Sequence, residues 1–510
     1  MNQASVDRPT YSRGRTIVIV AGIMMSLFMA SMEATVIATA MPTIVAELGG
    51  LAIYSWAFSA YMLTSTCVVP VYGKLSDLYG RRPVYAVAMA LFIGGSALCG
   101  LATSMEQLVF FRAVQGIGAG GVLPLAFIII GDIFSFEQRA RMQGFFAGVW
   151  GVSSIIGPLL GGFLVDQASW PWVFYVNVAP GVLALGLVWF SLRDDLTRQA
   201  GVEVDYWGAI LLMVGVVLLL LGLNDLGTTQ GIVLVAVAVA ILALLYVVER
   251  RSANPVLPLA LFRDRLFATG TLHGVTAGAA MFGTLSYVPL FIQSVQGTTA
   301  TEAGTTLTPM MLGWVLASVV GGRLLLRMGY RTVALSGMTS LTVGALLLSL
   351  LGAHASRVEI MAYLSMMGIG MGLSIPAFLI AVQTSVDRRQ LGTATSTLQF
   401  SRSMGGTLGV AVMGVYLTVS LAAGLTARGL DPTGVSLNSL MEPADASTAL
   451  VGPLRDAMAG AVGGVFVIAL IAAALGLVAT AFAPAGRIGK PIPTPDKPLD
   501  APATTLAPKA

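Results

Sequence analysis

The chain has 510 residues, of which 56% are hydrophobic and only 10% charged, with a formal net charge of +4 and a mean hydropathy of +0.85. A soluble domain carries about 25% charged residues, so a soluble globular protein is excluded and a polytopic membrane protein is predicted. The basic balance does not point to nucleic acid, because the basic residues sit in short loops between apolar runs.

Taken in order, the first apolar run, Ile17 to Pro42, is long enough for one helical span and holds a single ionisable residue, Glu33. A charged carboxylate near the bilayer centre costs at least about 3 kcal/mol. That is tolerable if it faces a wet cavity, pairs with a cation or holds a proton. No small-residue cleavage site follows this run, so it reads as a retained span. Further helices are predicted near 54–72, 83–102, 107–130, 143–165 and 172–192, then 207–224 and 231–248, then 267–293, 304–326, 332–353, 358–383, 391–423 and 459–483. Cys67 and Cys99 both lie inside apolar runs, which argues against a disulfide framework. The segment from Ala427 to Asp456 reads as a sizeable external loop, and the Pro/Ala-rich end of the chain as disordered.

Charge sets the sidedness. Arg8, Arg13 and Arg15 precede the first span. Lys74, Arg81 and Arg82 follow the second, Arg139 and Arg141 the fourth, Arg193 and Arg198 the sixth. Arg250, Arg251, Arg263 and Arg265 follow the eighth, Arg327 and Arg331 the tenth, Arg388 and Arg389 the twelfth. The opposite loops carry only Arg357, Arg428 and Arg455. By the positive-inside rule both termini are cytoplasmic and the span count is even.

An internal repeat orders these spans. Gly73, Leu75, Gly80 and Arg82 align with Gly322, Leu324, Gly329 and Arg331 at an offset of 322 − 73 = 249. Gly157 then falls on Gly406, and the first span on the ninth. The chain therefore divides into a tail (1–16), a six-helix bundle (17–192), a linker (193–206), an inserted helix pair (207–248), a second linker (249–266), a second six-helix bundle (267–484) and a tail (485–510). Parallel repeats of this kind place a substrate site at the midplane between the halves.

The motifs then become specific. Gly73-Lys-Leu-Ser-Asp77-Leu-Tyr-Gly80-Arg81-Arg82 resembles the signature of the major facilitator superfamily between spans two and three, with Leu78 where a basic residue is common. The resemblance implies an all-α membrane fold of two six-helix bundles. It also implies that Asp77 meets the N-terminus of span thirteen near Gly392, where free N–H groups favour an anion, and that Arg81 pairs with Asp132. The plainer reading is that these charges only set topology. Arg112, in Leu108-Val-Phe-Phe-Arg112-Ala-Val-Gln115-Gly116, resembles the family's second signature, linked there to proton coupling. A buried guanidinium needs acceptors, and it either couples or braces the bundle.

Span five, Gly148-Val-Trp-Gly151-Val-Ser-Ser-Ile-Ile-Gly157-Pro158-Leu-Leu-Gly161-Gly162, is similar to the signature of exporters and antiporters in this superfamily. Its glycines give one smooth face and Pro158 can bend it; ordinary small-residue packing is the competing explanation. Met32-Glu33-Ala-Thr35 to Met41-Pro42 resembles the first-span signature of the fourteen-helix drug/proton antiporter branch, with Glu33 where Asp is usual and Ala38 where Asn is usual. Competition between a proton and a cationic substrate for this one carboxylate would couple their movements; an interhelical hydrogen bond is the alternative.

Arg402 resembles a basic position of the same branch, as brace or substrate contact. His273 reads as a packing residue, and His354 is given no role. Met25, Phe28, Met29, Trp56, Tyr61, Trp150 and Tyr287 are candidates to line an adaptable apolar cavity. No phosphate-binding GxxxxGK[ST] occurs, since the stretch from Gly486 to Lys490 does not fit that spacing, so an ATP motor is not expected. No catalytic residue, metal site or cofactor is expected. The resemblance implies a monomeric exporter in the cytoplasmic membrane that exchanges protons for hydrophobic, cationic drugs. The alternative is a proton-coupled exporter of a native lipid, siderophore or metabolite.

Overall fold

The structure, a computed structural model, describes residues 11–49, 53–193, 205–224, 228–252, 255–257, 259–296, 300–352, 355–428 and 448–486. The core of the loop expected at 427–456, His354, and the chain beyond residue 486 lie outside the described residues. The helices follow the apolar runs. The first half holds α1 (Arg13–Leu48), α2 (Tyr54–Cys67), α3 (Val69–Tyr79), α4 (Arg81–Gly100), α5 (Met105–Ile133), α6 (Phe136–Gln167), α7 (Trp172–Tyr175) and α8 (Val178–Ser191). After it come α9 (Tyr206–Asn224) and α10 (Thr229–Arg251), which pack on one another. The second half holds α11 (Arg265–Gln296), α12 (Ala300–Thr306), α13 (Thr308–Met328), α14 (Tyr330–Ser349), α15 (Arg357–Ser385), α16 (Leu391–Thr426) and α17 (Thr448–Ala481).

Among the described residues, twelve helical segments are long and apolar enough to cross a membrane. The remaining two of the fourteen expected spans fall on α2 with α3 and on α6. The first of these is divided at Val68, because Pro70 near the start of α3 has no N–H to continue the ladder of α2.

The packing of the second half repeats that of the first. α5 packs on α2 and α4 as α15 packs on α13 and α14, and α1 packs on α6 and α8 as α11 packs on α16 and α17. α4 and α14 are both 20-residue helices, and each follows a glycine with positive φ: Gly80 (φ 94°, ψ 161°) and Gly329 (φ 83°, ψ 157°). This backbone region is open essentially to glycine alone, and a side chain forced into it costs about 1–3 kcal/mol. Gly80→Ala and Gly329→Ala are accordingly expected to lower the thermal unfolding midpoint by similar amounts. Gly94→Ala, on an exposed stretch of α4 with nothing within 4 Å of the added methyl, should leave it unchanged or raise it.

The halves grip one another reciprocally. Gly73 of α3 lies against α16, where a Cβ would approach the Gly392 carbonyl to 2.7 Å, and its counterpart Gly322 of α13 lies against α6, where a Cβ would come within 2.6 Å of the Ala140 carbonyl. Both contacts sit toward one end of the bundle, the end that carries the α3–α4 and α13–α14 turns.

Candidate functional site

A buried polar cluster lies inside the first half. Glu33 of α1 is 1% exposed and does not reach an open surface. Its Oε1 is 2.5 Å from Arg112 Nη1 of α5, and its Oε2 accepts from Asn177 Nδ2 at 2.6 Å. Arg112 Nη1 also donates to Gln115 Oε1 (2.8 Å), which lies one turn on along the same face of α5, and Nε donates to the Ala57 carbonyl of α2 (3.1 Å). The guanidinium carbon stands 4.2 Å from the centre of the Tyr61 ring. Gln115 Nε2 donates to Ser96 Oγ of α4 (3.1 Å), and Ser96 donates to the Phe174 carbonyl (2.9 Å).

Close helix approach makes this cluster possible. A Cβ on Gly95 would stand 2.6 Å from the Gln115 backbone, and one on Gly116 would stand 2.5 Å from the Tyr61 carbonyl. The charges are thus matched and nearly every polar group has a partner, which is what burial of an ion pair demands. The exception is the Asn177 Oδ1 acceptor, buried with no donor. The motifs in the sequence do not single out Asn177 or Ser96. The signal they carry is that of a polar residue within an otherwise apolar span, and Asn177 also stands immediately before α8.

A second constellation joins the halves. Asp77 accepts from Gly392 N (2.8 Å), Thr393 N (2.6 Å) and Thr393 Oγ1 (2.7 Å) at the N-terminus of α16. It also pairs with Arg81 at 2.7 Å. The expected Arg81–Asp132 pair is corrected: Asp132 is held by Arg388 through two bonds, of 2.6 and 3.0 Å, while Arg81 Nη2 donates to the Arg388 carbonyl (2.9 Å). The turn before α16 inserts Arg388 between the two, its backbone serving one and its side chain the other. Arg139 adds a bond to the Gln383 carbonyl (3.4 Å), and Gln383 Nε2 donates to the Phe127 carbonyl (3.3 Å).

Along α6, a Cβ added on Gly151 would make only an ordinary contact with Val315 of α13 (3.5 Å), and one on Gly148 or Gly162 would meet nothing within 4 Å. The tight approach to α13 is at Gly144 instead, where a Cβ would stand 2.5 Å from Val319. Gly157 and Gly161 are buried, and α6 runs unbroken through position 158. Of the expected cavity residues, Met29 is not available: it is 1% exposed within the core of the first half. Tyr61 is committed to Arg112, and the Tyr287 hydroxyl donates to the Val410 carbonyl (2.9 Å). Met25 and Phe28 are half-buried; Trp56 and Trp150 are exposed. Phe282, the counterpart of Glu33 in the second half, packs on Gly406 of α16. Arg402 and His273 line one small cavity between α11, α15 and α16.

Residues 23–410 match the family model described as Major Facilitator Superfamily. The chain is 39% identical over 406 residues to the multidrug transporter protein MdtP of Bacillus subtilis (strain 168), covering 78% of this chain and 75% of that protein. It is 35% identical over 502 residues to multidrug resistance protein 3 of the same organism, covering 95% and 98%. Its fold is similar to that of the proton:xylose symporter XylE, with a TM-score of 0.63 at 12% identity, covering 93% of this chain and 97% of that one.

Proposed function

The chain belongs to the major facilitator superfamily, a multi-pass membrane transporter of small molecules and not an enzyme, and from that premise we propose that it exports hydrophobic, cationic drugs or toxic compounds in exchange for protons. The names of its relatives in Bacillus subtilis support drug efflux. The observation that carries the coupling is the Glu33–Arg112 pair: a carboxylate and a guanidinium 2.5 Å apart and both 1% exposed.

Such a pair is stable only while both charges are present, because removing one leaves the other buried without compensation. A proton delivered to Glu33 would remove the negative charge, loosen Arg112 and change how α1 and α5 pack. A cationic substrate reaching Glu33 would compete with that proton, and one carboxylate could not hold both. In this reading Gln115 keeps Arg112 in register during the exchange, and Arg402 contacts substrate from the second half.

Fourteen spans with both termini in the cytoplasm put the Asp77 and Arg388 contacts on the inner side of the cytoplasmic membrane. The inter-half bonds at Asp77, Arg81, Phe127, Asp132 and Arg139 then describe a state closed toward the cytoplasm. Alternating access requires that they open in turn. Gly148 and Gly162 of α6, where an added Cβ would meet nothing within 4 Å, would supply room for the halves to repack, and Pro158 a point of bending between them. Monomeric function is part of the same proposal.

The test is transport by purified protein in proteoliposomes with an imposed pH gradient, offering cationic dyes, neutral drugs and lipids side by side. Cationic dyes are expected to move only with the gradient and to drive protons the other way. Movement of lipid or of a native metabolite in preference to dyes would overturn the drug-export reading.

A further inference from the structure

Arg402 and His273 stand out once the charges of the molecule are paired off. The three ion pairs among the described residues are Arg81–Asp77, Arg112–Glu33 and Arg388–Asp132, and none of them includes Arg402. Arg402 is nevertheless half-buried inside α16 and forms part of the wall of a cavity of about 20 Å³ between α11, α15 and α16. The nine residues lining that cavity include no acid. His273 faces the same cavity from α11: it is 2% exposed, its ring lies 4.6 Å from that of Phe378, and its Nε2 has no partner. The Gln399 amide completes the polar side, and Phe378, Leu398 and Gly274 belong to the remainder. α11 and α16 come this close because Gly274 and Gly278 face the Ser401 side chain and the Arg402 carbonyl. A Cβ would stand 2.5 Å from the first and nearer still to the second.

We propose that this cavity binds one carboxylate-sized anionic group, the acidic end of an exported organic compound. A guanidinium in a low-dielectric interior needs a counter-charge, and its planar fork of N–H donors matches a carboxylate. The cation of the first half already has its partner in Glu33, whereas the described residues supply none to Arg402. The space admits one water or one small polar group, so only the charged end of a ligand enters, and its apolar body stays outside the cavity. A bracing role alone does not account for an unpartnered His273 Nε2 and an arginine without a carboxylate on the same cavity. The consequence is that compounds carrying an acid, including those that also carry a cation, fall within the substrate range.

The assignment rests on the export reading only for the source of the acid. Binding measured on purified full-length protein without a gradient can therefore fail while proton-coupled export stands, or succeed where coupling fails. The probes are benzoate, its uncharged counterpart benzamide, and chloride, followed by calorimetry. Benzoate is expected to bind about tenfold or more tighter than benzamide, as charge-assisted bonding to a guanidinium allows. Arg402→Gln should remove that preference, and Arg402→Lys should retain part of it. His273→Phe should weaken benzoate and leave benzamide unchanged, with His273→Gln, which keeps a donor, intermediate. Equal binding of benzoate and benzamide, or an unaltered preference in folded Arg402→Gln, overturns the proposal. Chloride that displaces benzoate at equal strength makes this a free-anion site and overturns the assignment to an exported acid. If Arg402→Gln does not fold, the wild-type preference and the His273 variants decide.

Discussion

Glu33→Gln is expected to lower gradient-driven export about tenfold or more and to leave the residual transport indifferent to external pH. The amide keeps an acceptor for Asn177 or Arg112 but cannot alternate between charged and neutral forms. It also leaves Arg112 as a buried cation, which destabilises by about 3–5 kcal/mol when one partner of such a pair is removed. A loss of folding could therefore imitate a loss of coupling. Two further variants separate these effects. Glu33→Asp keeps the charge on a shorter arm and should restore pH-dependent export in part. Glu33→Gln combined with Arg112→Gln removes both charges and should recover thermal stability relative to the single change, a coupling visible in a double-mutant cycle, but not transport. Wild-type rate and pH dependence in that double variant would assign the pair a purely structural role.

Asp77→Ala is expected to depress transport strongly while the protein still inserts and folds. The carboxylate accepts three bonds from the first residues of α16 and pairs with Arg81. Each bond to a charged group contributes about 1.5–3 kcal/mol, so removing the carboxylate favours the open state over the closed one at that end. A shift of roughly 3 kcal/mol moves a two-state equilibrium about a hundredfold. Because the half-to-half contacts at Arg388 and Asp132 are separate bonds, the bundle itself should survive. A cysteine at Ser396, which is fully buried beside Gly73, reports the change: Ser396→Cys should resist alkylation in the parent protein and react when Asp77→Ala is added. The native Cys67 and Cys99 are both buried and provide the low background. Unchanged export at equal expression, with Ser396→Cys still protected, would show that Asp77 does not hold this end closed.

Much of this was legible in one dimension. A hydrophobic run long enough to span a bilayer is a local property, so α4, α5 and α11 follow their predicted limits closely, while α1 runs past its expected 17–40 at both ends, from Arg13 to Leu48. The 249-residue offset likewise reads directly from the glycines, and Gly80 and Gly329 turn out to share one backbone conformation that demands them. Glu33 and Arg112 drew attention because an ionised side chain in hydrocarbon requires compensation wherever it points.

What the sequence determined by itself, then, was the membrane class, the repeat and the residues under electrostatic obligation. Only the tertiary structure decided who discharges that obligation: Asn177 as the second donor to Glu33, Arg388 and not Arg81 as the partner of Asp132, and His273 facing the same cavity as Arg402. Hydropathy and spacing follow from the chain's own order, whereas a charge-to-charge meeting depends on the rotation and depth of two helices far apart in sequence. Those are set by close approach at positions such as Gly95, Gly116 and Gly274, and a shift of one residue in either helix would have aimed the same side chains elsewhere.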